Sequence, residues 1–88
     1  MACYIISYDL RKPGRNYDAL YDAIRSYGTW AKVNESVWAI VTQQTAVQIR
    51  ENLDKHLDSN DRIFVIKSGI EAAWRNSICK NEWLKDNL

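Results

Sequence analysis

The sequence contains few of the residues that interrupt or cross-link a chain. Its 88 residues include one proline, three glycines, two cysteines and one histidine. Cys3, Cys79 and His56 do not have the spacing or number of a zinc-ligand set. With no sign of export, we expect both thiols to be free and not joined in a disulfide. Because the chain also has no linker-like stretch, its length predicts one small structural unit.

Long hydrophobic runs and an excess of one charge are also absent. No apolar run approaches the roughly 20 residues of a membrane span. The start, Met1-Ala2-Cys3-Tyr4, lacks the basic residues that open a signal peptide, so we expect a cytoplasmic protein with no membrane partner. Twelve basic and eleven acidic residues leave a net charge of +1. Any nucleic-acid site must therefore be a local patch, because the chain as a whole is almost neutral.

The apolar residues, 47% of the chain, alternate between strand and helix patterns. Runs rich in β-branched and aromatic residues predict strands at 3–10, 29–33, 36–41 and 62–67. Apolar spacing predicts a helix over 17–27, with Asn16 as its N-cap. A capping-box pattern that begins at Thr45 opens a second helix.

A second capping-box pattern, Ser68-Gly-Ile-Glu71, predicts a third helix from about residue 69 into the tail. The order is then β-α-β-β-α-β with an added helix. This order predicts an α+β fold of the ferredoxin-like type, an antiparallel sheet with two helices on one face. Residues 1–68 would form the domain, and residues 69–88 would form a C-terminal helix that packs on the domain or on a partner.

The predicted sheet is apolar on both of its faces. In the first strand, Tyr4, Ile6 and Tyr8 alternate with Cys3 and Ile5, and the third and fourth strands show the same pattern. Since both helices of this arrangement cover one face, the other face needs a second cover. The C-terminal helix, a second subunit or both could supply it, and we interpret the pattern as favouring a homodimer. The aromatic candidates for a dimer or partner interface are Tyr8, Trp38, Trp74 and Trp83.

Four short segments share a pattern with a known family. The first strand ends in Tyr8-Asp9 before a basic loop, and the first helix ends in Tyr27-Gly28. A hairpin carries Glu35-Ser36-Val37-Trp38, and the fourth strand begins Asp61-Arg62-Ile63-Phe64-Val65. Together these segments resemble the Cas2 family of small CRISPR-associated proteins and their stand-alone relatives, over residues 4–67. The resemblance implies a homodimer in a prokaryotic or phage setting.

The tail departs from the pattern of that family. Cas2 proteins typically end in a short fifth strand that adds to the partner subunit's sheet, whereas residues 69–88 here predict a helix with Trp74 and Trp83. We therefore expect a role outside a standard spacer-acquisition complex. The C-terminal helix could instead bind another protein.

The resemblance gives Asp9 a candidate role in catalysis. In the family, the corresponding aspartate lies near the dimer axis, and some members use it as a metal ligand for phosphodiester hydrolysis. Mg²⁺ prefers oxygen ligands and keeps most of its waters, so one carboxylate from each subunit would suffice. Asp9 would then be both metal ligand and catalytic residue of an endonuclease or toxin-like ribonuclease. The alternative is that Asp9 accepts hydrogen bonds from loop amides or pairs with Arg11 or Arg15.

The densest basic stretch, Arg11-Lys12-Pro13-Gly14-Arg15, has three positive charges in five residues and precedes a helix N-terminus. Arg11, Lys12 and Arg15 are therefore candidate phosphate contacts for sequence-independent, salt-sensitive binding. The alternative is a solvated loop. Our leading hypothesis is a homodimeric binding or scaffold protein, the metal-dependent nuclease is the second, and a regulatory domain for a small ligand is the third.

Overall fold

Four strands and three helices alternate along the chain in the computed structural model, which describes residues 1–88. The elements are β1 (Ala2–Asp9), α1 (Asp18–Arg25), β2 (Thr29–Asn34), β3 (Val37–Thr42), α2 (Ala46–Asp54), β4 (Arg62–Lys67) and α3 (Asn81–Asn87). The strands form one antiparallel sheet in the order β2-β3-β1-β4. The architecture is α+β, as predicted, and is compatible with a ferredoxin-like fold.

The register of the strands assigns their side chains to two faces, because residues directly opposite each other point the same way. In the centre of the sheet, Ile6 of β1 lies between Trp38 of β3 and Val65 of β4. This face, which we call the covered face, holds the main core together with helix residues. Its fully buried members are Ile6, Leu20, Ile24, Trp38, Ile40, Ile49 and Leu53.

The opposite face, which we call the open face, is covered over only part of its area. On its β4 side, Phe64 and Ile66 have exposed fractions of 61% and 50%. On its β2–β3 side, Ala31 and Ala39 oppose each other and are buried, although neither belongs to the main core. Leu84 of α3, also outside that core, is 1% exposed. We infer that the C-terminal segment covers the β2–β3 half of the open face and leaves the β4 half uncovered.

The predicted third helix is wrong over most of its length, because α3 is confined to Asn81–Asn87. Residues 68–80 follow an irregular path that holds no helix. Asn76 has a left-handed backbone with φ of 55°, a conformation that ends a helix and does not continue one. Ile78 then donates its backbone N–H to the Val33 carbonyl at 2.8 Å, which holds the tail against β2. A contact with the sheet thus replaces the helical hydrogen bonds that the local pattern favoured.

The two shorter helical predictions are close to the structure. At α2, the Thr45 hydroxyl accepts from the Gln48 N–H, and the Gln48 side chain accepts from the Thr45 N–H, which confirms the capping box. At α1, Tyr17 is the N-cap residue and has no side-chain cap. Asn16, the predicted N-cap, instead accepts a hydrogen bond from the Asp18 N–H at 2.8 Å. None of the three helices has the length and apolar character that crossing a lipid bilayer requires.

Candidate nucleic-acid interface

Three loops and strand ends meet at one end of the sheet. β1 ends at Asp9, which lies opposite Arg62 at the start of β4, and the β2–β3 turn at Glu35 and Ser36 lies beside them. A shallow groove of about 540 Å³ opens here, lined on its charged side by Asp9, Arg11, Glu35 and Arg62. Two carboxylates and two guanidinium groups balance each other in this lining. The groove alone therefore does not concentrate positive charge.

Asp9 is exposed and pairs with a residue that the sequence analysis did not consider. Its Oδ2 atom lies 3.4 Å from Nη1 of Arg62, whereas Arg11 and Arg15 form no ion pair or hydrogen bond with it. No three or more histidine, cysteine or acidic side chains cluster anywhere in the chain as a metal site would require. A magnesium ion held by protein alone needs several oxygen ligands, and Asp9 offers one carboxylate next to a cation. The donor set of a single chain does not fit a magnesium site, and the nuclease hypothesis stays a prediction.

The basic loop at Arg11–Arg15 is held in place by Asp58. Its Oδ1 atom lies 3.4 Å from Nζ of Lys12 and 3.5 Å from Nη1 of Arg15. Arg15 also donates to the His56 carbonyl at 3.2 Å. The side chain of Arg11 makes no hydrogen bond or ion pair, because only its backbone N–H is engaged. The Arg11 guanidinium is thus free, while Lys12 and Arg15 share the Asp58 carboxylate.

Asp61 joins the same two loops through hydrogen bonds to its carboxylate. It accepts from the backbone N–H of Arg11 at 2.6 Å, from that of Asp58 at 2.7 Å, and from the Tyr17 hydroxyl at 2.8 Å. Burial acts to raise the pKa of Asp61, but these hydrogen bonds and the Arg15 charge outweigh it, and the pKa lies below its ordinary value. Burial, together with the Asp61 carboxylate, raises the pKa of Tyr17. We call Asp58 and Asp61 the loop anchor.

The loop anchor was not among the residues predicted from the sequence, although the sequence carries a signal for it. The run Asp58-Ser59-Asn60-Asp61 has the composition of a polar turn, but which loop it contacts depends on the strand order. Since β1 and β4 are antiparallel neighbours, the end of β1 and the start of β4 must lie side by side. Combining that topology with the charges of the two loops would have predicted the pairing.

The predicted interface aromatics lie in two different environments. Tyr8 and Trp38 are buried in the covered face, with exposed fractions of 5% and 2%. The Trp38 indole donates to the Tyr8 hydroxyl at 2.9 Å, and burial raises the pKa of Tyr8. Both residues therefore pack inside the protein. Trp74 and Trp83 are half-buried in the tail, but not on one helix, and the Trp74 indole donates to Asn81 at 3.0 Å.

The antiparallel sheet, its two helices on one face and the loops gathered at one end define a small α+β protein that is compatible with a ferredoxin-like fold. The model of the CRISPR-associated protein Cas2 family matches residues 1–77. The chain belongs to this family, which confirms the resemblance seen in its strands. The match includes β1 to β4 and most of the irregular tail, and it ends before α3.

Proposed function

We propose that this protein is a Cas2-like homodimer that binds nucleic acid without recognising its base sequence, or that acts as a scaffold. Proteins of this family are typically dimeric. The proposal places the dimer contact on the β4 half of the open face and the nucleic-acid contact on the basic loop. A role outside a standard spacer-acquisition complex, and a protein partner for the C-terminal tail, remain part of this proposal.

The exposed side chains of the open face support the dimer. Phe64 and Ile66 lie on an edge strand, and neither a helix nor the tail covers them. Removing apolar surface of this kind from water is favourable by about 25 cal/mol per Å². A two-fold partner that brings its own Phe64 to the same place would bury both copies at once, since such an interface uses one patch twice. These residues replace Tyr8 and Trp38 as the proposed sheet contribution to the interface.

The observation that carries the nucleic-acid proposal is the exposed basic loop, which the loop anchor holds at one end of the sheet. Asp61 fixes the loop backbone at Arg11, and Asp58 holds the Lys12 and Arg15 side chains. The loop therefore loses little conformational freedom when it meets a phosphate. Asp58 partly neutralises Lys12 and Arg15, so one loop alone would bind weakly. A dimer would present two loops to one duplex, and linked contacts increase the overall affinity.

The test is binding of a 20-base-pair duplex, as DNA and as RNA, measured by fluorescence anisotropy at several salt concentrations. We expect Arg11→Ala to weaken binding and to lower the salt dependence by about one counterion, since its side chain has no structural contact to lose. The triple change of Arg11, Lys12 and Arg15 to alanine should remove most binding. A matched triple change of Arg50, Lys55 and Lys67, three basic residues outside the loop, should have a smaller effect.

If the two triple variants lose the same amount of duplex affinity, the loop has no specific role in binding. The same conclusion follows if Arg11→Ala binds the duplex as tightly as the wild type does. The oligomeric state of each preparation is measured by sedimentation velocity, so a lost dimer is not mistaken for a lost contact. The same samples, incubated with Mg²⁺ or Mn²⁺ beside Asp9→Asn, test the nuclease hypothesis. Cleavage that disappears with Asp9→Asn would establish it.

A further inference from the structure

The groove at the end of the sheet contains two opposite charges that the protein leaves unpaired. Asp9 and Arg62 neutralise each other across the strand pair, at 3.4 Å. The Arg11 guanidinium and the Glu35 carboxylate line the same groove, but neither forms an ion pair or a side-chain hydrogen bond. The lining is therefore neutral as a whole, yet one cation and one anion in it are available to a ligand.

Both unpaired side chains extend from backbone that hydrogen bonds hold in place. The backbone N–H of Arg11 donates to Asp61 at 2.6 Å. The backbone carbonyl of Glu35 accepts from the Tyr8 hydroxyl at 3.5 Å, and the carbonyl of Ser36 accepts from the Tyr8 N–H at 3.2 Å. A ligand that enters the groove therefore does not have to order the backbone at either charge first.

Two half-buried side chains, Leu10 and Tyr21, give the groove an apolar wall. The Tyr21 ring is stacked on Trp38, with centroids 6.2 Å apart, and lies 6.3 Å from the Tyr8 ring. These aromatic neighbours keep Tyr21 in one position. A nucleobase, which is flat and largely apolar on its faces, packs against such a wall whatever the base. The groove volume of about 540 Å³ lies within the usual range for sites of small molecules.

A ribonucleotide has a group to match each of these three features. Its phosphate accepts from the Arg11 guanidinium, its base packs against Tyr21, and a ribose hydroxyl donates to the Glu35 carboxylate. A phosphate with no hydroxyl beside it would meet Glu35 only as a like charge. Deoxyribose lacks the 2′-hydroxyl, the group by which a protein distinguishes RNA from DNA. The neutral lining thus fits RNA better than it fits DNA.

We propose that this groove binds one unpaired nucleotide of an RNA strand, with a phosphate on Arg11 and the 2′-hydroxyl on Glu35, and that Glu35 thereby selects RNA over DNA. The nucleotide is unpaired because the faces of a base in a duplex are occupied by its neighbours. This inference rests on the nucleic-acid binding proposed above, since Arg11 belongs both to the basic loop and to the groove.

The experiment compares three fluorescein-labelled cytidine decamers that differ only in the sugar, which is ribose, deoxyribose or 2′-fluoro-deoxyribose. The 2′-fluoro sugar keeps an RNA-like conformation but has no hydroxyl to donate. Binding is measured by fluorescence anisotropy in EDTA, so that a metal-dependent cleavage does not consume the probe. We expect the ribose decamer to bind roughly tenfold more tightly than the other two, the effect of one hydrogen bond to a charged group.

Glu35→Ala should remove this preference by changing the affinities in opposite directions. The ribose decamer loses a hydrogen bond, whereas the deoxyribose decamer is relieved of a nearby negative charge and binds more tightly. Glu51→Ala, which removes an exposed carboxylate of α2 outside the groove, is the matched control and should keep the preference. Arg11→Ala should weaken the binding of all three decamers by the same factor.

Equal affinity of the wild type for the ribose and 2′-fluoro decamers would overturn the proposal. So would a preference for ribose that survives in Glu35→Ala with native circular dichroism. If the wild type shows no preference but Arg11→Ala weakens all three decamers, the loop binds nucleic acid and only the selection by Glu35 is rejected. If Arg11→Ala binds every decamer as the wild type does, the nucleic-acid role of the loop fails, and this inference fails with it.

Discussion

The two faces of the sheet have the same alternating apolar pattern but different surroundings. On the covered face, Ile6 and Trp38 are shielded by α1 and α2, which follow β1 and β3 along the chain. On the open face, Leu84 of α3 reaches only part of the surface, and Phe64 remains 61% exposed. Alternation therefore shows that a face must be covered, but not whether its own chain supplies the cover. We therefore expect the stability of the monomer to depend mainly on the covered face, and dimer formation to depend on the open face.

The largest expected effect comes from the covered face. Trp38→Ala should lower the free energy of unfolding by about 3–5 kcal/mol, because it opens a cavity among fully buried side chains. Phe64→Ala, at a concentration where the protein is monomeric, should change it by about 0.5 kcal/mol or less. Urea denaturation followed by circular dichroism measures both. Similar losses for the two variants would mean that the open face is already buried in the monomer.

An intermediate effect should come from the part of the open face that the tail covers. Leu84→Ala should lower the free energy of unfolding by about 2–3 kcal/mol, since its side chain is 1% exposed. Lys85→Ala, at the next and exposed position of α3, is the matched control and should be nearly neutral. The measurement is again urea denaturation. If Leu84→Ala were as mild as its control, α3 would not contribute to the cover of the sheet.

The smallest effect should come from the loop anchor, which lies at the end of the sheet and outside both faces. The native pKa of Asp61 is below its ordinary value, so its carboxylate contributes stability at pH values above that ordinary value. The contribution is lost as the pH falls through the lowered native pKa. We expect Asp61→Asn to have a lower Tm than the wild type at pH 7, and the difference to shrink in strongly acidic solution.

Differential scanning calorimetry from pH 2 to pH 7 tests this dependence, with Asp54→Asn as an exposed carboxylate control. A Tm difference that stays constant over the whole range would show that the charge of Asp61 plays no part.

Local patterns in the sequence predicted most of the sheet. β4 occupies residues 62–67 as predicted, and the Thr45 capping box is present, because each depends on residues close together in the chain. The alternation of Tyr4, Ile6 and Tyr8 with Cys3 and Ile5 separated the two faces of the sheet, but only the structure shows that the tyrosines and Ile6 meet the helices. Propensity and periodicity are reliable here because tertiary contacts reinforce them.

The remaining features depend on contacts between distant residues. The tail after Ser68 carries a helix-start pattern, yet Ile78 pairs with Val33, a residue 45 positions earlier in the chain. Tyr8 and Trp38 were assigned to an interface because aromatic character alone does not distinguish core from contact surface. At the candidate site, the basic loop was identified, but the Asp58 and Asp61 that hold it become its neighbours only through the strand order.

The exposed edge of β4 also bears on how this chain avoids fibrous aggregation. Four consecutive apolar residues, Ile63 to Ile66, lie on a free strand, the kind of segment that stacks into cross-β assemblies. Arg62 and Lys67 stand directly at its two ends. In a stack of identical strands in register, each of these charges would meet its own copy about 4.8 Å away, and the repulsion opposes growth.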